Sequence, residues 1–168
     1  IAKLNSQGDV MWAIALNPPE FATISEMKAT PDGGYILVGN LYAFEFGMPF
    51  EEYRAWIVKM NADGTVAWQN YYVFTALGSD VWRLTHEPFG VVADSGGYTV
   101  AVHTTVNGYI NTEITLWILR LNTNGDVVWQ KHISGVGDQF SDITATQDGG
   151  IVIVGSERYP SGAIYRPW

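Results

Sequence analysis

An imidazole and a carboxylate held close together can pass a proton, and His103 and Glu157 are the residues of this sequence best placed for that role. Each lies at or just past the end of an apolar run, Tyr98–His103 and Ile151–Ser156; a third run, Tyr35–Asn40, ends on an amide. Asn40, His103 and Ser156, followed by Leu41, Thr104 and Glu157, are thus equivalent positions of changing polarity that would line a central funnel. The plain reading of a solitary histidine is a surface or satisfied residue rather than a catalyst. His86 is expected on the face opposite His103, and His132 on an outer strand, so no histidine triad is expected.

A second candidate is the segment LYAFEFGMPFEEYRAW. It gathers Tyr42, Phe44, Phe46, Phe50 and Tyr53 beside Glu45, Glu51 and Glu52. Aromatic rings stack on the apolar face of a sugar while carboxylates accept its hydroxyl hydrogen bonds. The same residues suit a protein interface, or a compact loop that packs its own rings. With Asn40, His103 and Glu157, the residues Tyr42, Phe44, Glu45, Phe46 and Tyr53 make up the candidate ligand site. The Asp and Asn residues of the Gly-rich turns lack the spacing of a calcium loop, and no metal site is expected. No phosphate-binding loop, nucleophile elbow or zinc-protease helix motif occurs. The chain has no Cys, which removes thiol chemistry and disulfides.

The elements that must position these residues come from a repeat. KLNSQGDVMW, KMNADGTVAW and RLNTNGDVVW share Asn, Gly and Trp at fixed offsets, with Gly8, Gly64 and Gly125 at intervals of 56 and 61 residues. A second motif alternates with the first: TPDGGYILVGN, VADSGGYTVAVH and TQDGGIVIVGS, whose last turn glycines are Gly34, Gly97 and Gly150. Each repeat reads as four short strands. The first precede the Gly-Gly turns (Ser25–Thr30, Val81–His86, Ser141–Thr146), and the second are the apolar runs above. The third are AWIVKM, LWILRL and, at the start, IAKL. The fourth carry the Trp (Thr65–Tyr72, Asp126–Ile133). No segment has a helical period. YILVG, YTVAV and IVIVG are apolar at successive positions, which calls for cover on both faces of the sheet. A four-stranded antiparallel meander whose inner strand is buried on both sides has the form of a β-propeller blade.

The LNxxGxVxW element resembles the Trp motif of the quinoprotein (PQQ-type) propellers. The full unit, in which a W-I-x-[KR]-L-N turn is followed by D-I-x-A-T-x-D-G-G, resembles the delta-60-like repeats of bacterial and archaeal secreted or surface proteins. The resemblance spans almost the whole chain. It implies that Trp12, Trp68 and Trp129 are structural and dock between blades. Quinoprotein activity does not follow: that class uses eight blades, a bound quinone and calcium, whereas this chain has three repeats and no Cys. No cofactor is expected.

The expected architecture is therefore all-β, a propeller of four-stranded antiparallel blades with about three repeats per chain. It comprises a half-blade at 1–16, blades at 24–73 and 80–133, and a partial blade at 140–167. Three blades are too few to close a ring, so own copies or a missing propeller segment are expected to complete it. The chain opens on Ile1 with no signal peptide, as a processed or partial product would. The irregular segments Leu41–Arg54, Thr104–Thr115 and Glu157–Gly162 are expected as loops on one face, with Ala15–Thr23, Val73–Asp80 and Ser134–Gln139 as links beside them. A net charge of −8 with nine scattered Lys and Arg excludes a nucleic-acid surface. No apolar run is long enough for a membrane-spanning helix. The expected role is a non-enzymatic module, exported or surface-displayed, that binds a protein or its own copies. A lectin-like glycan binder is the alternative, and a propeller-fold hydrolase or lyase a further one.

Overall fold

The computed structural model of the chain describes residues 1–18, 21–43, 51–74, 81–109, 111–135, 137, 139–158 and 165–167. Among these the fold is all-β, with no helix. A first hairpin pairs β1 (Ala2–Leu4) with β2 (Val10–Ala13). An antiparallel meander follows: β3 (Phe21–Ala29), β4 (Tyr35–Ala43), β5 (Glu51–Met60) and β6 (Val66–Tyr72). A second is built from β7 (Val81–Asp94), β8 (Gly97–Gly108), β9 (Thr112–Leu121) and β10 (Val127–Ser134). Then β11 (Gln139–Ala145), β12 (Ile151–Arg158) and β13 (Tyr165–Pro167) form a three-stranded sheet. A short parallel pairing of Glu51–Tyr53 with Arg83–Thr85 joins the two meanders into one eight-stranded sheet. The sheets do not close into a ring.

The apolar pattern explains the stacking. In β4, Ile36 and Val38 enter one core while Leu37 and Leu41 enter another. In β9, Trp117, Leu119 and Leu121 face the first meander, and Leu116 and Ile118 face Ile143 of β11. Side chains alternate across a strand, so a run of successive apolar residues fills two cores at once. β12 departs from this: Ile151 and Ile153 pack inward, but Val152 and Val154 remain 54% and 48% exposed.

Several strands run past their expected ends. β7 continues from Val81 to Asp94, which places His86 in mid-strand rather than near a turn. Thr104–Thr115 is not a loop: β8 extends to Gly108 and β9 starts at Thr112, because Thr104–Val106 and Thr112–Thr115 are rich in residues that favour extended backbone. Leu41–Ala43 and Glu51–Arg54 are likewise strand.

The Asn-x-x-Gly turns repeat in conformation. Gly8, Gly64 and Gly125 have φ of 91°, 90° and 88°, a region that side chains disfavour. Two of these turns carry a tryptophan from the preceding repeat. A methyl group added at Gly64 would lie 3.0 Å from the Trp12 ring, and one at Gly125 would lie 3.2 Å from Trp68. Trp68 also donates its Nε1–H to the Thr123 carbonyl at 3.0 Å. At Gly8 nothing comes within 4 Å. Gly8→Ala is therefore expected to cost only backbone strain, about 1 kcal/mol. Gly64→Ala must also displace the indole and should cost at least ~1 kcal/mol more. Urea titrations of the two variants check the difference, and equal losses would contradict the docking role.

Candidate functional site

Each of the three first strands carries a β-bulge. The register shifts between Ile24 and Glu26 in β3, between Pro88 and Gly90 in β7, and between Phe140 and Asp142 in β11. The extra residues are Ser25, Phe89 and Ser141, and all three line one cleft of about 520 Å³. β7 touches both β3 and β11, so the bulges meet along one edge of the stack. A bulge bends its strand and re-aims a side chain, and here three of them open a shared concavity.

His103 enters this cleft from β8, together with Glu87, Pro88, Gln139 and Phe140. Its Nδ1 stands 3.9 Å from Glu87 Oε2, opposite it on the β7–β8 ladder. That distance is an electrostatic contact rather than a tight hydrogen bond. The His103 imidazole, aided by the charge of Arg83, holds the Glu87 carboxyl below the ordinary carboxylate range. Phe140 meets the His103 ring edge-on at 5.8 Å and stacks on Phe89 at 5.5 Å. Among the described residues neither Ser25 nor Ser141 hydrogen-bonds His103, so no nucleophile–base pair is assembled. No group of three His, Asp or Glu among the described residues could hold a metal ion.

The other candidates are dispersed. Asn40 accepts a hydrogen bond from the Thr23 hydroxyl across the β3–β4 pair. Leu41 and Thr104 are buried and line no funnel. Glu157 sits on β12 opposite Arg166 of β13 and outside the lining of the His103 cleft. Tyr42 and Tyr53 are register partners on β4 and β5 with ring centroids 4.8 Å apart, and the Arg83 guanidinium lies over Tyr53 at 5.1 Å. Phe44, Glu45 and Phe46 lie outside the described residues.

His86 and His132 meet through Trp117. His86 stands on the rung next to His103, paired with Thr104, so its side chain points through the sheet to the other face. The Trp117 ring stacks on His132 at 5.5 Å and lies 5.3 Å from His86. His86 Nε2 accepts the Phe74 amide at 3.1 Å, which leaves the ring proton on Nδ1, 3.1 Å from the Thr104 hydroxyl. Burial, with the neighbouring His132 imidazole, lowers the His86 pKa to about 4.

No protein-family model matches the chain, and no curated protein is detectably similar to it.

Proposed function

We propose that the chain is a β-propeller-type repeat module, without a catalytic role, that binds macromolecules or its own copies outside the cell or at the cell surface. The observation that carries this reading is apolar sheet surface left bare at both ends of the stack. Val152 and Val154 are exposed on β12, and Leu4, Val10 and Met11 on the first hairpin. Exposed apolar faces next to open strand edges are interaction surfaces or aggregation hazards. The blade reading draws support from the packing: the first strands β3, β7 and β11 converge, while β6 and β10 make no comparable contact. Wedge-shaped stacking of this kind is how blades surround an axis. The resemblance to delta-60-like repeats supports both the blade form and export.

The glycan reading has less behind it, since Arg83 occupies a face of Tyr53 on which a sugar would stack. The hydrolase reading lacks a nucleophile held by His103 among the described residues. Replacing Val152 and Val154 together by Lys tests the binding reading, because both side chains face solvent and the fold should survive. Light scattering is expected to show the parent chain associating and the double variant dissociated. A parent chain that neither self-associates nor retains a partner on which the two valines act would overturn it.

A further inference from the structure

The cleft at the three bulges is separate from the exposed valines, since neither Val152 nor Val154 lines it. Its volume of about 520 Å³ is in the range of small-ligand pockets. The lining draws on β3, β7, β8 and β11, so strands of three sheets build it together.

The polar groups of the lining are mostly unspent. Ser25 and Ser141 are the extra residues of their bulges, which a strand ladder leaves unpaired. Both are exposed, as is Gln139, and among the described residues none of the three side chains has a hydrogen-bond partner. A hydroxyl can accept as well as donate, and an amide carbonyl accepts.

The charge of the lining is negative. Glu87 is the one carboxylate among the described lining residues, and no Lys or Arg is among them. Its side chain is 50% exposed, and its contact with His103 Nδ1 is 3.9 Å. That separation is too long for a hydrogen bond, so the carboxylate keeps room for donors from outside. Its pKa is lowered by the His103 imidazole and the charge of Arg83, which favours the ionised form. Arg83 itself lies over the Tyr53 ring.

The remaining wall is apolar. Phe89 and Phe140 stack at 5.5 Å with their planes 17° apart, and buried Pro88 lies beside Phe89 in the chain. An anion would meet Glu87 with no cation to balance it. A metal ion would lack a third ligand among the described residues. A group that carries positive charge and several donors on an apolar stem satisfies the carboxylate, the hydroxyls and the rings at once. The chain's net charge of −8 also attracts such a group from solution.

We propose that this cleft binds an alkylammonium group. Its N–H donors meet the Glu87 carboxylate and the Ser25 and Ser141 hydroxyls, and its methylene stem lies against the Phe89–Phe140 stack. The group is carried either by a free amine or by a lysine side chain of a peptide.

The test is a titration of the isotopically labelled chain with n-butylammonium chloride in low-salt, mildly alkaline buffer, followed by the backbone amide resonances. n-Butanol and butyrate serve as neutral and anionic matches of the same stem. Butylammonium is expected to shift the Ser25, Glu87, His103 and Ser141 amides saturably, with butanol and butyrate at least about tenfold weaker. Glu87→Gln keeps the shape of the side chain and should weaken butylammonium about tenfold or more. Ser141→Leu fills the cleft and should abolish the response. Both positions are exposed, so both variants should keep the parent circular dichroism spectrum. Nα-Acetyl-lysine methylamide, titrated in parallel, separates the two sources: tighter binding than butylammonium assigns the site to peptide lysines, and weaker binding to free amines. No saturable shift at the cleft, butanol as tight as butylammonium, or a folded Glu87→Gln with undiminished binding overturns the proposal.

Discussion

Trp117→Ala is expected to lower unfolding stability by about 3–5 kcal/mol, the largest loss from a single side chain in this fold. Trp117 is 1% exposed and sits where β9 faces the first meander. Its ring contacts His86, His132 and Phe74, and its Nε1–H donates to Gln130 Oε1 at 3.0 Å. Truncation removes the packing of all three rings and leaves the Gln130 acceptor without its donor. Trp117→Phe keeps most of the volume and should cost about 1–2 kcal/mol. Denaturant titration of both variants measures this. A loss below ~1 kcal/mol for the alanine variant would mean that the two meanders are not held together through this ring.

Acid should weaken the same junction. The His86 pKa, about 4 against an ordinary 6.5, means that the fold binds the neutral imidazole. The stabilisation is complete above pH 6.5, where the unfolded chain is also neutral, and is lost as the pH falls toward 4. Between those limits the contribution amounts to about 3 kcal/mol. Burial lowers the His132 pKa too, so its effect has the same sign. Asp32, Glu87, Asp94 and Asp148 have lowered pKa values, so their stabilising charged forms begin to be lost where the unfolded carboxyls protonate, at the acid end of this range, and they add the same fall to parent and variant alike. Stability measured from pH 7 to 4 should therefore fall steeply in the parent chain and far less in His86→Gln. Equal slopes would remove His86 as the cause.

The all-β character, the turns and the two-sided burial of β4 and β8 were legible in the sequence, whereas β12 is covered on one face only. Gly-Gly and Asn-x-x-Gly turns impose local backbone conformations, and runs such as YILVG have no polar face to show to water. The candidate site was legible only in part. Counting back along β7 from the Asp94–Gly97 turn pairs His103 with Pro88. The bulge at Phe89 shifts the ladder by one, and Glu87 becomes the partner. No residue type announces such a bulge, so neither Glu87 nor the meeting of Ser25, Phe89 and Ser141 could be read from the chain. The emphasis on the fourth-strand tryptophans had a similar limit. Trp56 and Trp117 on the third strands are the more deeply buried, each tied to a glutamine one strand away, Gln69 and Gln130. Alternation in the third strands marks their cores but does not rank their depth.

The mass of the chain in solution is the most direct test of the proposed binding surface. Sedimentation equilibrium at micromolar concentration should return more than the 18.6 kDa of one chain for the parent and the mass of one chain for V152K/V154K. A parent mass of one chain at every concentration, with no partner retained that V152K/V154K releases, would contradict it.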